Sequence, residues 1–230
     1  AETTESEGLT SFTSDGFTLG SLDQVNTNNE SFVAWNWKAS GGSAPSITYA
    51  VKVVSDSGNK YRFDDFGTSA VTLDLQEGGT YTFDQSDSSN ATHPLRFYTA
   101  ADKSGGEYTT GVTTNGTPGS SGAYTRITVA ASAPTLYYQC SSHAAMGGAV
   151  NTNSTCGSSN FAGSIQSTVQ TNSDAGFSIV TYTGTGSNAT VGHGLAQKPE
   201  WMIFKNLDDG NEGFPNYHKG MTSAAYIVGL

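Results

Sequence analysis

Apolar and polar residues alternate with a period close to two through the middle of the chain, in runs too short for helices. Between Ile47 and Cys140 the runs are ITYAVKVV, KYRFDDF, AVTLDL, TYTFDQ, HPLRFYT, TRITVAA and TLYYQC. Each is rich in Val, Ile, Leu, Tyr or Phe and is bounded by Gly, Ser, Asn or Pro, the pattern of a half-buried strand. Seven such strands over about a hundred residues predict one antiparallel sandwich or barrel.

The flanks carry the same rhythm less regularly. SFTSDGFTLGS (Ser11–Ser21) sets turn residues between short apolar pairs. In ESFVAWNWKA (Glu30–Ala39), Val33, Trp35 and Trp37 share one face, with Ala34 and Asn36 on the other. That predicts a strand with two large aromatics turned to a core. SGGSAPS (Ser40–Ser46) has linker composition, and NTNSTCGSSNFAGS (Asn151–Ser164) opens a second linker. A further β segment begins at Ala175, includes GFSIVTYTGTGSN and PEWMIFKN, and closes on the apolar AAYIVGL, which calls for a partner strand. The resulting division is 1–39, a linker at 40–46, a sandwich at 47–151, a linker at 152–174, and 175–230.

Composition narrows the class. Only 13% of the 230 residues are charged, and the polar share is mostly Gly, Ser, Thr and Asn, which suits turns and strands. Aromatic residues make up 11% and recur throughout, which argues against low-complexity disorder. A formal charge of −10 repels nucleic acid and anionic membrane surfaces. No apolar run reaches the roughly 18 residues of a membrane helix. The opening AETTESEG has no Met, no basic stretch and no apolar stretch, so it reads as a processed chain or a piece of a longer one. Two cysteines allow one disulfide at most.

The candidate chemistry sits in LYYQCSSHAAMGG (Leu136–Gly148), where Cys140, His143 and Met146 are spaced C-x2-H-x2-M. His93 precedes a strand upstream. Two imidazoles, a thiolate and a weak thioether are the donor set of a blue-copper site: thiolate and thioether suit Cu(I), and imidazole serves both oxidation states. The loop donors converge if the chain folds back at the end of a strand, with His93 arriving from a neighbouring one. Two other states of the same residues stay open. A Cys140–Cys156 disulfide would consume the thiolate, and a free thiol would leave the site without metal.

This pattern resembles the cupredoxin family over Thr48–Asn151, and the loop spacing is similar to the amicyanin-type short ligand loop. The resemblance implies a Greek-key β-sandwich with His93, Cys140, His143 and Met146 as copper ligands. One departure stands out. The residue after the first histidine in that family usually gives a backbone N–H to the cysteine sulfur, and here it is Pro94, which has none.

Other polar groups point to less. His193 in VGHGL and His218 in NYHKG lie in turn contexts that suit surface or hydrogen-bonded roles. Asp64–Phe66 (DDF) and Leu207–Gly213 (LDDGNEG) cluster carboxylates that suit weak Ca²⁺ binding but lack EF-hand spacing, so solvated turns are the favoured reading. Asn90-Ala91-Thr92 and Asn153-Ser154-Thr155 match the glycosylation triplet in a chain rich enough in Asn, Ser and Thr to produce it by chance. There is no G-x-S-x-G, P-loop, H-E-x-x-H or C-x-x-C, and no enzyme is expected.

The flanks SFTSDGFTLG…VNTNNESFVAWNWKA and GFSIVTYTGTGSNATVGHGLAQKPEWMIFKN resemble modules of structural proteins from marine bacteriophages, tail-fibre-like and virion-surface proteins in particular. The resemblance implies a second, jelly-roll-like sandwich whose opening half lies at 175–230 and whose closing half lies at 1–39. Three arrangements follow: a tandem array, pairing of the halves within one chain around an inserted sandwich, or completion of one subunit by the next. The last would use Trp35, Trp37 and Trp201 as its assembly core and would propagate head-to-tail into a filament. The expected function is thus a structural subunit or repeat of an extracellular or virion-surface fibre, with copies of itself or other fibre proteins as partners. Blue-copper electron transfer and a glycan-binding adhesin are the alternatives.

Overall fold

The computed structural model describes residues 7–13, 17–29, 31, 44–154, 157–208, 214–220 and 228–229. The described residues are all-β apart from a helical turn at Asp23–Asn26 and a 3₁₀ turn at Ser88–Asn90. The chain divides into two compact units, Ala1–Lys38 with Gln197–Leu230, and Ala39–Ala196.

In the first unit, β1 (Leu9–Phe12) and β2 (Phe17–Leu19) form an antiparallel pair. In the second, nine strands follow: β3 (Ser46–Ser55), β4 (Asn59–Phe63), β5 (Leu73–Gln76), β6 (Thr80–Asp84), β7 (Leu95–Tyr98), β8 (Val112–Asn115), β9 (Tyr124–Thr128), β10 (Leu136–Cys140) and β11 (Ala149–Ser154). One sheet runs β4-β3-β6-β9-β8 and the other β5-β11-β10-β7. All seven predicted strands are present. The two additions, β8 (VTTN) and β11 (AVNTNS), carry little apolar alternation. The sheets are not purely antiparallel, because β3 pairs parallel with β6 and β5 parallel with β11.

The alternation explains how the two sheets close on each other. Tyr49 and Val51 of β3, Tyr61 and Phe63 of β4, and Tyr81 and Phe83 of β6 are buried from one sheet. Leu73 and Leu75 of β5, Leu95 and Phe97 of β7, and Leu136 and Tyr138 of β10 are buried from the other. All belong to one apolar core. Burying a side chain of this size contributes about 1.5–3 kcal/mol.

Residues 152–174, expected to be a linker, carry structure instead. β12 (Ser158–Asn160), β13 (Ser167–Asn172) and β14 (Phe177–Tyr182) form an antiparallel sheet in that order. It is anchored to the sandwich. Phe161 enters the core against Tyr49, Phe63 and Phe66 with ring centroids 5.5, 5.8 and 5.5 Å away. The Tyr49 hydroxyl donates to Ser159 O (2.8 Å), and Thr168 Oγ1 donates to Asp74 Oδ2 (2.6 Å). The expected boundary at 175 moves for the same reason: β14 pairs with β13 over six residue pairs, which keeps Phe177–Tyr182 with the sandwich unit.

The first unit also holds β15 (Trp201–Ile203), β16 (Pro215–His218) and β17 (Val228–Gly229), an antiparallel sheet in that order. Trp201 lies in β15 and is 38% exposed in the single chain. Trp35 and Trp37 lie outside the described residues.

Candidate metal centre

The strand register brings His93 to Cys140. β10 and β7 are antiparallel with Cys140 opposite Leu95, and the Ser141 N–H donates to Pro94 O (2.9 Å), which extends the ladder one step past the strand. His93 therefore sits beside the end of β10. Pro94, which offers no N–H, takes part through its carbonyl.

The chain then loops from Cys140 to Gly148 and returns as β11. His143 on that loop turns back, so that Cys140 Sγ lies 3.5 Å from His143 Nδ1 and 3.8 Å from His93 Nδ1. The two imidazole centroids are 4.6 Å apart. The donor atoms of His93, Cys140 and His143 all lie within 4.8 Å of one another, and this is the one group of its kind among the described residues. These three can hold a metal ion. The thiol is fully buried and His93 nearly so, whereas His143 is exposed and opens the site to solvent. Cys140 is a free thiol. Cys156, its partner in the disulfide alternative, lies outside the described residues.

Met146 is buried in the core at the far end of the loop. Its N–H donates to Gln139 Oε1 (3.0 Å) and its carbonyl accepts from the Tyr61 N–H (2.8 Å). The glycines after it are steric requirements. A Cβ on Gly147 would overlap the Tyr138 carbonyl, and one on Gly148 would lie 2.6 Å from the Ala70 and Val71 carbonyl oxygens.

Several residues that position the donors were not anticipated as part of the site. Gln85 donates through Nε2 to His93 O (2.9 Å) and accepts from the Leu95 N–H at Oε1 (3.1 Å), so its amide spans Pro94. Its signal was present in the sequence: Gln85 follows Tyr81 and Phe83 on the inward phase of β6, where a buried amide needs partners. The Tyr61 hydroxyl also donates to His93 O (2.9 Å). Burial foremost, with the Cys140 sulfur beside it second, holds the Tyr61 phenol far above its ordinary range. Asn59 Nδ2 lies 3.4 Å from His93 Nε2. Burial first, and the neighbouring His143 second, lower the His93 pKa and favour the neutral ring a metal requires.

The remaining candidates stay apart from this centre. His193 Nδ1 accepts from the Leu195 N–H (3.1 Å) and His218 Nδ1 from the Gly220 N–H (3.1 Å), each within its own turn. At the DDF turn, Asp64 Oδ1 accepts from the Ala50 N–H, while Asp65 pairs with Lys52 and Arg62. Its carboxylates are thus engaged by the protein, and they gather into no Ca²⁺ site. Of the other acidic candidate, residues 209–213 lie outside the described residues.

No curated protein and no solved structure matches the chain. One family model does, over residues 1–61 and 148–230, leaving His93, Cys140, His143 and Met146 in the unmatched stretch between the two segments. With more than half its length matched, the chain belongs to the family described as a domain of unknown function (DUF7483).

Proposed function

We propose that the protein is a β-sandwich structural subunit whose cupredoxin-like sandwich would hold one copper ion through His93, Cys140 and His143, with Met146 as the candidate fourth donor. The convergence of the two Nδ1 atoms on a buried thiol carries the copper reading. Two imidazoles and one sulfur donor gathered together, with a thioether nearby in sequence, favour copper over harder ions, which prefer oxygen. Bound copper would supply a one-electron couple. The protein's own part is to keep the thiol dry, hold His93 neutral through burial, and leave the His143 edge facing solvent.

The low charge and the Ser-, Thr- and Gly-rich strands support a building-block role in an extracellular or virion-surface fibre.

Metal analysis and visible spectroscopy of the natively isolated chain test the copper reading. The expected result is one copper per chain with an intense thiolate-to-copper band that disappears in Cys140→Ser. Copper-free wild-type protein after exposure to Cu(I) would end it. Electron microscopy of the same sample tests the fibre reading, with filaments expected and a strictly monomeric species counting against it.

A further inference from the structure

The seven-residue segment from Cys140 to Met146 is held by two lysines from separate parts of the fold. Lys103 lies in the Ala100–Gly106 turn, which is braced by Lys103 N–H to Ala100 O (3.0 Å) and Gly106 N–H to Lys103 O (3.1 Å). Its ammonium donates to three carbonyls of the loop: Cys140 O (3.1 Å), Ser141 O (3.2 Å) and His143 O (3.3 Å). An ammonium has three N–H donors, and here each meets one carbonyl. Two of the three belong to metal-ligating residues. Lys60, at the start of β4, donates to Ala145 O at the other end of the segment. Ala145 holds a left-handed backbone (φ 55°) that this contact braces.

Neither charge is neutralised. Among the described residues the salt bridges are Lys52–Asp65, Arg62–Asp65, Arg96–Glu107 and Lys219–Glu200, and neither Lys60 nor Lys103 is among them. Asp102, next to Lys103, accepts instead from the Ser104 backbone N–H and hydroxyl. In a chain with ten Lys and Arg against twenty Asp and Glu, two uncompensated cations on one short loop are a concentrated use of positive charge.

We propose that Lys60 and Lys103 form a charged clamp that holds the Cys140–Met146 loop in its ligating shape before any metal arrives and biases the bound ion toward its lower charge. The first half follows from geometry, since carbonyls that would otherwise turn to solvent are gathered on two fixed ammonium groups. The second half rests on the copper reading above. A fixed cation on the carbonyls of the ligand loop repels the more positive ion more strongly and so favours Cu(I) over Cu(II).

Two measurements on the full chain separate the parts. The first is amide exchange without metal, read at Ser141, Met146 and Gly147, whose N–H groups bond Pro94 O and Gln139 Oε1. Lys103→Met should speed exchange there by about tenfold and leave the β6 amides unchanged. Unchanged exchange at the three amides would overturn the clamp, as would equal acceleration everywhere. The second is the pair of dissociation constants for Cu(I) and Cu(II). Lys103→Met should tighten Cu(II) about tenfold relative to Cu(I), equivalent to a potential lowered by about 59 mV, and Lys103→Arg should restore the wild-type ratio. A merely structural role would weaken both ions equally, so an unchanged ratio overturns the charge bias. Wild-type protein that binds neither ion sinks the copper reading and the charge bias with it, and the metal-free exchange result then decides the clamp alone.

Discussion

At the residue scale, the centre depends on small groups in tight places as much as on its donors. Gly147 has no room for a methyl group against the Tyr138 carbonyl, so Gly147→Ala must push the loop away from β10. The expected cost is about 1–3 kcal/mol in urea unfolding, the usual penalty for overpacking. Gly67→Ala is the control, with nothing within 4 Å of the added methyl group, and should stay within about 0.5 kcal/mol. Equal effects at both positions would remove the steric account of the MGG segment. His93, Cys140 and His143, which the fold gathers together, were legible in the sequence because each is a donor type that soft-metal chemistry needs. Lys103 was not. Its carbonyl acceptors lie at least 37 positions away along the chain, and no local pattern marks a lysine that caps backbone oxygens.

At the element scale, the seven strands of the sandwich core were readable because one face of each is buried, which imposes period-two alternation. β8 and β11 were not, since pairing and not patterning makes them strands: β8 is an exposed edge, and β11 is polar beyond Val150. The 3₁₀ turn that delivers His93 was equally silent. It is capped by Asp87, whose Oδ1 accepts from the Ser89 N–H (2.9 Å), and it passes to His93 through His93 N–H to Asn90 O (2.8 Å). Bonds from the Ser89 side chain first, and its backbone N–H second, hold the Asp87 carboxyl below the ordinary carboxylate range. An acid with a lowered folded-state pKa adds stability above its unfolded value, near 3.8, and loses it as pH falls through the folded value. Asp87→Asn keeps a capping oxygen and removes the titration. Its melting temperature should match wild type near neutrality, and its decline below about pH 4 should be shallower. Parallel acid limbs for the two proteins would exclude Asp87 as a contributor.

At the scale of the whole molecule, the described residues between the expected linker boundaries belong to the unit that carries the candidate metal centre. The sequence hid this because NTNSTCGSSNFAGS is polar and turn-rich, with Phe161 as its one aromatic. That ring is the anchor: it is buried against Tyr49 of β3 and Phe63 of β4, while Ser158 and Ser159 engage the Tyr81 hydroxyl and the Asp74 N–H (2.6 and 2.8 Å). A tether would leave the sandwich indifferent to its loss. An integral anchor makes the stability of the sandwich depend on it. Phe161→Ala should therefore cost about 3–5 kcal/mol, as for other large aromatics removed from a core. The loss should register in one cooperative transition, followed both by tyrosine fluorescence and by access of a thiol reagent to Cys140, which shares that core. If Cys140 protection and the fluorescence transition stay where they are in wild type, the segment is a tether after all, and the sandwich ends at β11.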